Sequence, residues 1–342
     1  MSKSPYILAI DQGTSSTRAA LIDKNGIIID QESVEFKQIY PANGWVEHDP
    51  LEIMQTVKST ITTIFERNKI IQNDILSCGI TNQRETIVAW DKVTGKPLYN
   101  AIVWQDRRTQ NICQNLVDKN YTNLIQEKTG LIIDPYFSAS KIQWLLENIK
   151  DQKNLIVGTI DTWIIWNLTN KTKHLTDITN ASRTMLYNIA DEVWDHEILD
   201  LFNIRESILP IVQSNKDDFG TIHSDHFGIE IPIGGVIGDQ QSASLGQLCL
   251  KKGMIKATYG TGCFVLINTD ENKTKSKNKL LTTIASKVDD KKQYAVEGSI
   301  FNAGTVVQWL RDEMKLFKDV SEIESLIQNS KNDITFIPAF IG

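Results

Sequence analysis

Residues 6–22 join two apolar, strand-like runs through a short loop built almost entirely of hydrogen-bond donors. Gly13 allows the backbone of this loop to approach an anion closely, and Arg18 adds a permanent positive charge. Asp11 closes the first apolar run, where a buried carboxylate needs a metal ion or a charged partner. The loop is typical of a phosphate-binding hairpin, although taken alone it also fits an ordinary polar β-turn. Its hydroxyl-bearing residues are Thr14, Ser15, Ser16 and Thr17.

The composition describes a globular protein. Of the 342 residues, 41% are hydrophobic and 23% are charged, which provides enough apolar material for a sizeable core. A chain of this length is suited to about two domains. The formal net charge of -6 argues against nucleic acid as the main partner, because Lys and Arg are scattered along the chain.

The cysteine pattern and the lengths of the apolar runs predict where the protein is located. The four cysteines lie far apart and lack the spacing of metal ligands, so we expect reduced thiols. No apolar run approaches the roughly 18 residues of a membrane span, and the N-terminus lacks the apolar core of a signal peptide. We therefore expect no membrane span and a cytoplasmic location.

Short β-rich runs alternate with amphipathic helical runs, a pattern that predicts an α/β fold. After the hairpin, residues 27–36 continue as extended chain, Asp49 and Pro50 begin a helix, and residues 75–80 form a buried strand. A second strand-turn unit at residues 254–267 repeats the design of the first hairpin. Two such loops predict a duplicated nucleotide-binding element.

Six more motifs follow the hairpin along the chain: GWVEHDP at 44–50, TNQRET at 81–86, WQDRRT at 104–109, GDQQ at 238–241, YGTG at 259–262 and EGS at 297–299. Together with the hairpin, this ordered series resembles the glycerol kinases of the FGGY carbohydrate kinase family, from residue 6 to the last residue. The Arg-Glu, Trp-Gln-Asp-Arg-Arg and Gly-Asp-Gln-Gln elements favour glycerol over a pentulose. An ordered series is far more specific than any one glycine-rich loop.

The resemblance implies an α/β protein of two RNase H-like domains, of the actin, hexokinase and Hsp70 ATPase type, the second incomplete. The implied N-terminal domain, residues 1–240, holds the glycerol site and the phosphate hairpin. The implied C-terminal domain, residues 241–342, is partial and holds the second phosphate loop on the nucleotide side. Glycerol is the implied substrate, ATP and Mg²⁺ are the implied cofactors, and complete family members are expected to form homo-oligomers.

Glycerol offers three hydroxyls on three carbons, so a selective pocket needs fixed polar partners and an apolar wall. Arg84 and Glu85 follow a predicted strand as a donor and an acceptor for neighbouring hydroxyls, although they also fit a surface ion pair. Trp104 ends an apolar run, where an aromatic side chain also fits the core. By resemblance, the substrate-binding residues are Arg84, Glu85, Trp104, Tyr136, Asp239, Gln240 and Phe264.

Asp239 is the predicted catalytic residue. It follows a glycine-rich run and starts a predicted helix, so the backbone presents its carboxylate to the cleft, although an N-cap aspartate is the alternative. In the family, the matching Asp removes the proton from the terminal hydroxyl as it attacks the γ-phosphate in line. The resemblance also places Mg²⁺ near Asp11, directly or through water. The implied ATP contacts are Thr14, Ser15, Ser16, Arg18, Thr261, Gly304 and Gln308.

Residues 334–342 predict a buried strand and its exit turn. Family members continue from this point, so the resemblance predicts a truncated second domain without the adenine-binding segment, and a separate C-terminal chain as a further candidate partner. Four functions therefore stay open: ATP-dependent phosphorylation of glycerol to glycerol 3-phosphate, an inactive remnant or polyol-binding module, a kinase for another polyol or sugar, and an actin-like or Hsp70-like ATPase. An actin-like or Hsp70-like ATPase would not need the combination of Arg84, Glu85, Trp104 and Asp239.

Overall fold

The computed structural model describes residues 5–260, 262–328, 330 and 335–337, which contain mixed α and β structure. Its largest sheet has six strands, and its three central strands are parallel. Because these three are parallel, their carboxyl ends meet at one edge of the sheet. In spatial order the strands are β13 (Thr221–Ile222), β14 (Ile231–Gly238), β5 (Ile75–Asn82), β1 (Tyr6–Gln12), β2 (Ser16–Ile22) and β3 (Ile28–Glu35).

Two four-stranded sheets and two small two-stranded pairs complete the β structure of the described residues. The first four-stranded sheet, in spatial order, contains β4 (Glu47–His48), β7 (Ala101–Ile102), β6 (Ile87–Asp91) and β8 (Leu155–Thr159). The second contains β15 (Ile255–Tyr259), β16 (Cys263–Asp270), β18 (Lys291–Ile300) and β17 (Leu281–Val288). The pairs join β9 (Leu175–Asp177) to β12 (Ile211–Gln213) and β10 (Tyr187–Asn188) to β11 (Val193–Trp194).

The helices of the described residues connect and cover these sheets. They are α1 (Pro50–Asn68), α2 (Gln110–Asp118), α3 (Thr122–Thr129), α4 (Ser138–Asn148), α5 (Ile160–Leu168), α6 (Ile178–Ala181), α7 (His196–Leu201), α8 (Ser224–Phe227), α9 (Asp239–Gly246), α10 (Gly304–Asp312) and α11 (Ile323–Gln328), with short 3₁₀ turns at Glu206–Ile208 and Val320–Glu322. None of them is both long and apolar enough to cross a membrane.

Helix α1 begins as its sequence predicts. The Asp49 side chain accepts a hydrogen bond from the Leu51 N–H at 2.8 Å, and Pro50 occupies the first turn, where its missing N–H is not needed. Its buried face packs against β2 and β3. The Thr56 and Thr17 hydroxyls meet there at 2.8 Å, so α1 supports the first hairpin from below.

Two large apolar cores hold these layers together. The first lies between the six-stranded sheet and helices α1 and α5, and includes Ile10, Ile61 and Trp163. The second surrounds β6, β8 and α4, and also receives Leu281 and Ile284 from β17. Because one core contains side chains from both four-stranded sheets, the second of these sheets is anchored on the first half of the chain.

Arg108 joins two of the sequence motifs, at residues 44–50 and 104–109. Its Nη2 contacts Glu47 Oε1 at 2.7 Å and Asp106 Oδ2 at 2.8 Å. Its guanidinium lies over the Trp45 ring, 3.8 Å from the centroid, a cation–π arrangement. The two motifs therefore form one structural unit beside the β4–β7 pair.

The predicted α/β class and both predicted hairpins are confirmed, since β1 pairs with β2 and β15 with β16 in antiparallel register. The predicted terminal strand is wrong for its described part. Residues 335–337 form no strand, and Phe336 and Ile337 are 51% and 78% exposed, because no described strand pairs with them. Residues 334 and 338–342 lie outside the described residues.

Gly130 closes the C-terminus of α3 where β17 passes. It adopts φ of 75°, and its carbonyl accepts a hydrogen bond from the Thr282 N–H at 2.8 Å. A Cβ at this position would overlap the Thr282 carbonyl oxygen. Gly26 has a similar φ of 80° in a turn with open space around it, so it provides a matched comparison.

We expect Gly130→Ala to lower the free energy of unfolding by about 2–5 kcal/mol, because a left-handed backbone and steric overlap both oppose the methyl group. Gly26→Ala introduces only the cost of a left-handed backbone at a residue with a side chain, and should lower the free energy of unfolding by about 1–2 kcal/mol. Urea unfolding of both variants measures the difference. Equal losses would contradict the close contact between α3 and β17.

Candidate functional site

A cavity of about 320 Å³ lies at the carboxyl ends of β1, β5 and β14, where the turn between β15 and β16 faces them. Within two positions after the end of each of the three parallel strands, a polar residue lines this cavity. The lining residues are Thr14, Ser15, Gln38, Tyr40, Arg84, Glu85, Trp104, Gln105, Tyr136, Asp239, Gln240, Thr258, Gly260, Gly262 and Phe264.

The turn between β1 and β2 is held tightly from below. The Gly13 N–H donates to the Ser16 carbonyl at 2.9 Å, which closes the turn. The buried Gln83 amide donates to the Gly13 carbonyl and to Gln12 Oε1, both at 3.0 Å. These bonds satisfy polar groups beneath the turn, and its residues Thr14 and Ser15 line the cavity.

Thr14 is fixed by two further side chains. Gln38 Nε2 donates to its carbonyl at 2.9 Å, and Trp104 Nε1 donates to its hydroxyl at 2.9 Å. Gln38 is in turn held by His48, whose Nε2 lies 2.8 Å from Gln38 Oε1. Burial lowers the pKa of His48 to about 4, so the ring is neutral near pH 7. His48 therefore has a structural position behind the turn.

Four charged side chains beneath the cavity form what we call the ionic cluster: Arg84, Glu85, Arg183 and Glu297. Arg84 binds Glu297 through two bonds of 2.7 and 2.9 Å. Arg183 contacts Glu85 at 2.5 Å and Glu297 at 3.1 Å. All four residues are at most 2% exposed. The cluster balances two positive and two negative charges, which is the condition for burying them without a large penalty.

Glu297 is the anionic centre of the ionic cluster. Its burial alone would raise its pKa, but Arg183 and Arg84 outweigh that effect and lower the pKa to about 2. Glu297 lies on β18 and Arg84 follows β5, so their ion pair joins residues 213 positions apart. The pair therefore ties the second four-stranded sheet to the edge of the six-stranded sheet.

Glu85 has a strained backbone, with φ of 61°. A non-glycine residue in this region carries a penalty of order 1–3 kcal/mol unless its surroundings hold it. Here the Arg183 ion pair holds the side chain, and the Ser138 hydroxyl donates to the Glu85 carbonyl at 3.0 Å. The turn allows both Glu85 and the adjacent Arg84 to line the cavity.

Asp239 is the first residue of α9 and one-third of its side chain, 33%, is exposed. Its Oδ1 accepts from the Gln240 N–H at 2.6 Å and lies 3.3 Å from Arg84 Nε. Burial raises the pKa of Asp239 above the ordinary 3.8, and Arg84 opposes that rise. A cavity carboxylate with a raised pKa is suited to accepting a proton.

Aromatic rings form one wall of the cavity. The Trp104 ring centroid lies 5.7 Å from that of Tyr136, 6.0 Å from Phe264 and 6.1 Å from Phe301. The rings meet edge to face or tilted, which is the favourable geometry for aromatic packing. The cavity thus combines a charged floor with an apolar wall, as recognition of a small polyhydroxylated molecule requires.

The structure brings most of the predicted site residues together. Nine of them line the cavity: Thr14, Ser15, Arg84, Glu85, Trp104, Tyr136, Asp239, Gln240 and Phe264. The other described ones are not among the lining residues. Asp11 and Arg18 face each other on the β1–β2 pair, and Ser16 starts β2. Gln308 lies on α10, whose first residue, Gly304, donates its N–H to the lining residue Gly260 at 2.9 Å. Thr261 lies outside the described residues.

Three residues that the structure joins to the site had no role predicted from the sequence. Arg183 and Glu297 complete the ionic cluster, and Lys256 Nζ donates to Gln240 Oε1 at 2.5 Å. Glu297 belongs to the EGS motif at 297–299. Its charge follows apolar residues within β18, and a charged residue in a buried strand indicates a buried partner. Arg183 and Lys256 carried no comparable local signal.

Comparisons with known proteins agree with this geometry. Residues 6–246 match the N-terminal domain of the FGGY family of carbohydrate kinases, and residues 255–342 match its C-terminal domain. Glycerol kinase 1 of Clostridium tetani is 50% identical over 345 residues, which cover 98% of this chain and 69% of the relative. The glycerol kinase of Rhizobium meliloti is 51% identical over the same shares.

Solved structures give the same result. The crystal structure of Plasmodium falciparum glycerol kinase with ADP aligns with a TM-score of 0.90 and 42% identity, covering 96% of this chain and 67% of that one. A ligand-bound xylulose kinase from Lactobacillus acidophilus aligns with a TM-score of 0.84 at 23% identity, which supports the fold alone. The expected two-domain fold of the actin, hexokinase and Hsp70 ATPase type is thereby confirmed. The chain belongs to the FGGY family of carbohydrate kinases.

Proposed function

We propose that this chain transfers the γ-phosphate of ATP to glycerol and forms glycerol 3-phosphate. The observation that carries the proposal is the convergence, on one cavity, of the Arg84–Glu85 pair, the Asp239 carboxylate and the turn that follows β1. The glycerol kinases that are about 50% identical to this chain in sequence support the same chemistry. The direct test is a coupled assay of the purified chain for ADP formation that depends on glycerol, and absence of transfer would contradict the proposal.

In this proposal the ionic cluster and the aromatic wall bind glycerol. Arg84 donates to one hydroxyl and Glu85 accepts from its neighbour, since both already line the cavity in fixed orientations. Tyr136 and Gln240 provide further polar contacts. Trp104 and Phe264 cover the carbon atoms, where a flat apolar surface excludes water from the reacting hydroxyl.

Asp239 is the proposed general base. Both of its described contacts, with Gln240 N–H and Arg84 Nε, are made to Oδ1, so Oδ2 is the oxygen assigned to the substrate proton. As the proton leaves, the terminal hydroxyl oxygen attacks the γ-phosphorus and the bond to ADP breaks on the opposite side. Positioning and charge stabilisation supply most of the acceleration in such a transfer.

The donors assigned to the phosphates line the same cavity as Asp239. Thr14 and Ser15 line it at the first hairpin, and Gly260 and Gly262 line it at the second. We assign the remaining ATP contacts predicted from the sequence, Ser16, Arg18, Thr261, Gly304 and Gln308, to the same phosphate-binding role. The hydrogen bond from Gly304 to Gly260 supports this for the start of α10.

We assign Mg²⁺ to the Asp11 carboxylate, which lies on β1 and is not one of the residues that line the cavity. Asp11 at the end of β1 and Asp239 repel each other electrostatically, which raises the pKa of Asp239 further. Within the described residues no three His, Cys, Asp or Glu side chains could hold a metal together. One or two carboxylates with water and phosphate oxygens are the usual Mg²⁺ ligands, so Asp11 is the residue that would hold it. The ion would neutralise charge that develops on the phosphates.

Two expectations about the whole chain remain proposals. We propose that its domains divide near residue 240, within α9 and before the second four-stranded sheet. We also propose a cytoplasmic location, because all four cysteines are buried thiols without a disulfide.

Asp239→Asn should lower kcat by about 10² to 10⁴ fold, because the amide cannot accept the proton. ATP affinity should change little, since Asp239 is assigned to the substrate proton. Steady-state kinetics and equilibrium nucleotide binding measure the two effects. Asp217→Asn, at an exposed loop position, is the matched control and should retain activity. Near-normal turnover in Asp239→Asn would refute the assignment.

The same base predicts an acid limb in the pH profile. A general base works only when deprotonated, so kcat/KM should fall as the pH drops through the pKa of Asp239. Because burial raises that pKa, the midpoint of the limb should lie above 3.8. Circular dichroism at each pH establishes that the fold persists. A profile that stays flat down to pH 3.8, with the protein folded, would contradict the raised pKa.

Trp104 allows the apolar wall and its hydrogen bond to be separated. Trp104→Ala removes both, and should weaken glycerol binding by about 1–3 kcal/mol with a smaller effect on ATP. Trp104→Phe keeps a ring but loses the bond to Thr14, so it should retain most of the glycerol affinity and raise KM for ATP. Equal losses for both ligands in Trp104→Ala would show that Trp104 supports the fold instead.

A further inference from the structure

Gly238, the residue that precedes Asp239, is held on two sides. The Gly238 N–H donates to the Thr179 hydroxyl at 2.9 Å, although the two residues lie 59 positions apart. On the other side, the Arg84 side chain lies so close that a Cβ at residue 238 would come within 2.8 Å of its Cδ. Any larger residue at position 238 would displace the Arg84 side chain, so these two neighbours fix the backbone from which Asp239 leaves the strand.

The Thr179 hydroxyl has a defined orientation. Because its oxygen accepts from the Gly238 N–H, its single proton is available to one acceptor, and that acceptor is Asp177 Oδ2. The Thr179 N–H donates to the same carboxylate oxygen at 2.7 Å. Thr179 and Asp177 are both 0% exposed, so water does not compete for these bonds.

Asp177 connects this contact to the turn that carries Arg84. Its carboxylate accepts from Asn180 Nδ2 at 2.6 Å and from Asn215 Nδ2 at 2.7 Å. Asn180 in turn exchanges two amide hydrogen bonds, of 2.9 and 3.0 Å, with Asn82 at the end of β5. The ends of β5 and β14 are therefore both connected by hydrogen bonds to the buried Asp177 carboxylate, β5 through Asn180 and β14 through Thr179.

We propose that Thr179 is a positioning residue for Asp239: its hydroxyl holds the 237–238 peptide through the Gly238 N–H, and this fixes where the strand ends and the adjacent Asp239 carboxylate meets the reacting hydroxyl of the substrate. The inference rests on the proposed function and deepens it, because it adds a residue that lies outside the cavity lining. A loss of this hydrogen bond frees the peptide to shift, and a displacement of about 1 Å at a catalytic group costs roughly 10²-fold in rate.

The test compares Thr179→Val, which removes the hydroxyl and preserves the shape, with Thr179→Ser, which preserves the hydroxyl. Thr129→Val is the matched control, since Thr129 is also 0% exposed and its hydroxyl likewise accepts from a backbone N–H, while it donates to a backbone carbonyl and is not one of the residues that line the cavity. The readouts are kcat and both KM values, each corrected for the folded fraction by circular dichroism.

We expect Thr179→Val to lower kcat by about 10- to 100-fold with little change in either KM. Thr179→Ser and Thr129→Val should stay close to the unsubstituted chain. Equal kcat values for Thr179→Val and Thr129→Val would overturn the inference, as would equal losses in Thr179→Val and Thr179→Ser. No transfer by the unsubstituted chain would overturn the proposed function and this inference with it.

If Thr179→Val does not fold, a second variant, Thr179→Cys, tests the same hydrogen bond with a smaller disturbance. Thr179→Cys has nearly the same size and retains a polar atom, but its sulfur is a weak acceptor for the Gly238 N–H. Its kcat should fall below that of Thr179→Ser. If Thr179→Cys, folded, turns over as fast as Thr179→Ser, the strength of this bond does not position Asp239 and the inference is wrong.

Discussion

The bidentate ion pair between Arg84 and Glu297 is the interaction on which the site depends. Both groups are removed from water, and Arg183 and Glu85 complete a neutral set of four charges. In such a set each buried charge is compensated by its partners. Removal of one partner leaves an uncompensated charge and typically destabilises a protein by about 3–5 kcal/mol. The pair also connects β18 to the turn after β5, so the second sheet and the cavity floor share one electrostatic anchor.

This anchor fixes the polar groups of the cavity floor. Arg84 is held by Glu297, Glu85 is held by Arg183 in a strained left-handed turn, and both therefore present fixed polar atoms to the cavity. The Trp104 indole connects this region to the phosphate hairpin through the Thr14 hydroxyl. A site whose polar groups are already oriented loses little entropy when a ligand binds, and pre-organisation of this kind favours transition-state stabilisation.

Much of this arrangement follows from local sequence patterns. The apolar run, polar turn and second apolar run at residues 6–22 predicted the β1–β2 hairpin, and the Asp49–Pro50 pair predicted the start of α1. The predicted residues that line the cavity come mostly from positions just after strands or at the second hairpin, because parallel strands end at a common edge. The terminal prediction failed in its described part, since an apolar run forms a strand only where a partner strand pairs with it.

The sequence by itself determined the local elements and the identity of the residues that follow each strand. Those properties depend on spacings of a few residues, which strand alternation, turn residues and helix capping make visible. Only the tertiary structure decided which charges are paired: Arg183 meets Glu85 across 98 positions, and Arg84 meets Glu297 across 213. The physical reason is that an ion pair depends on distance in space, and chain topology alone brings residues so far apart in sequence to within 3 Å of each other.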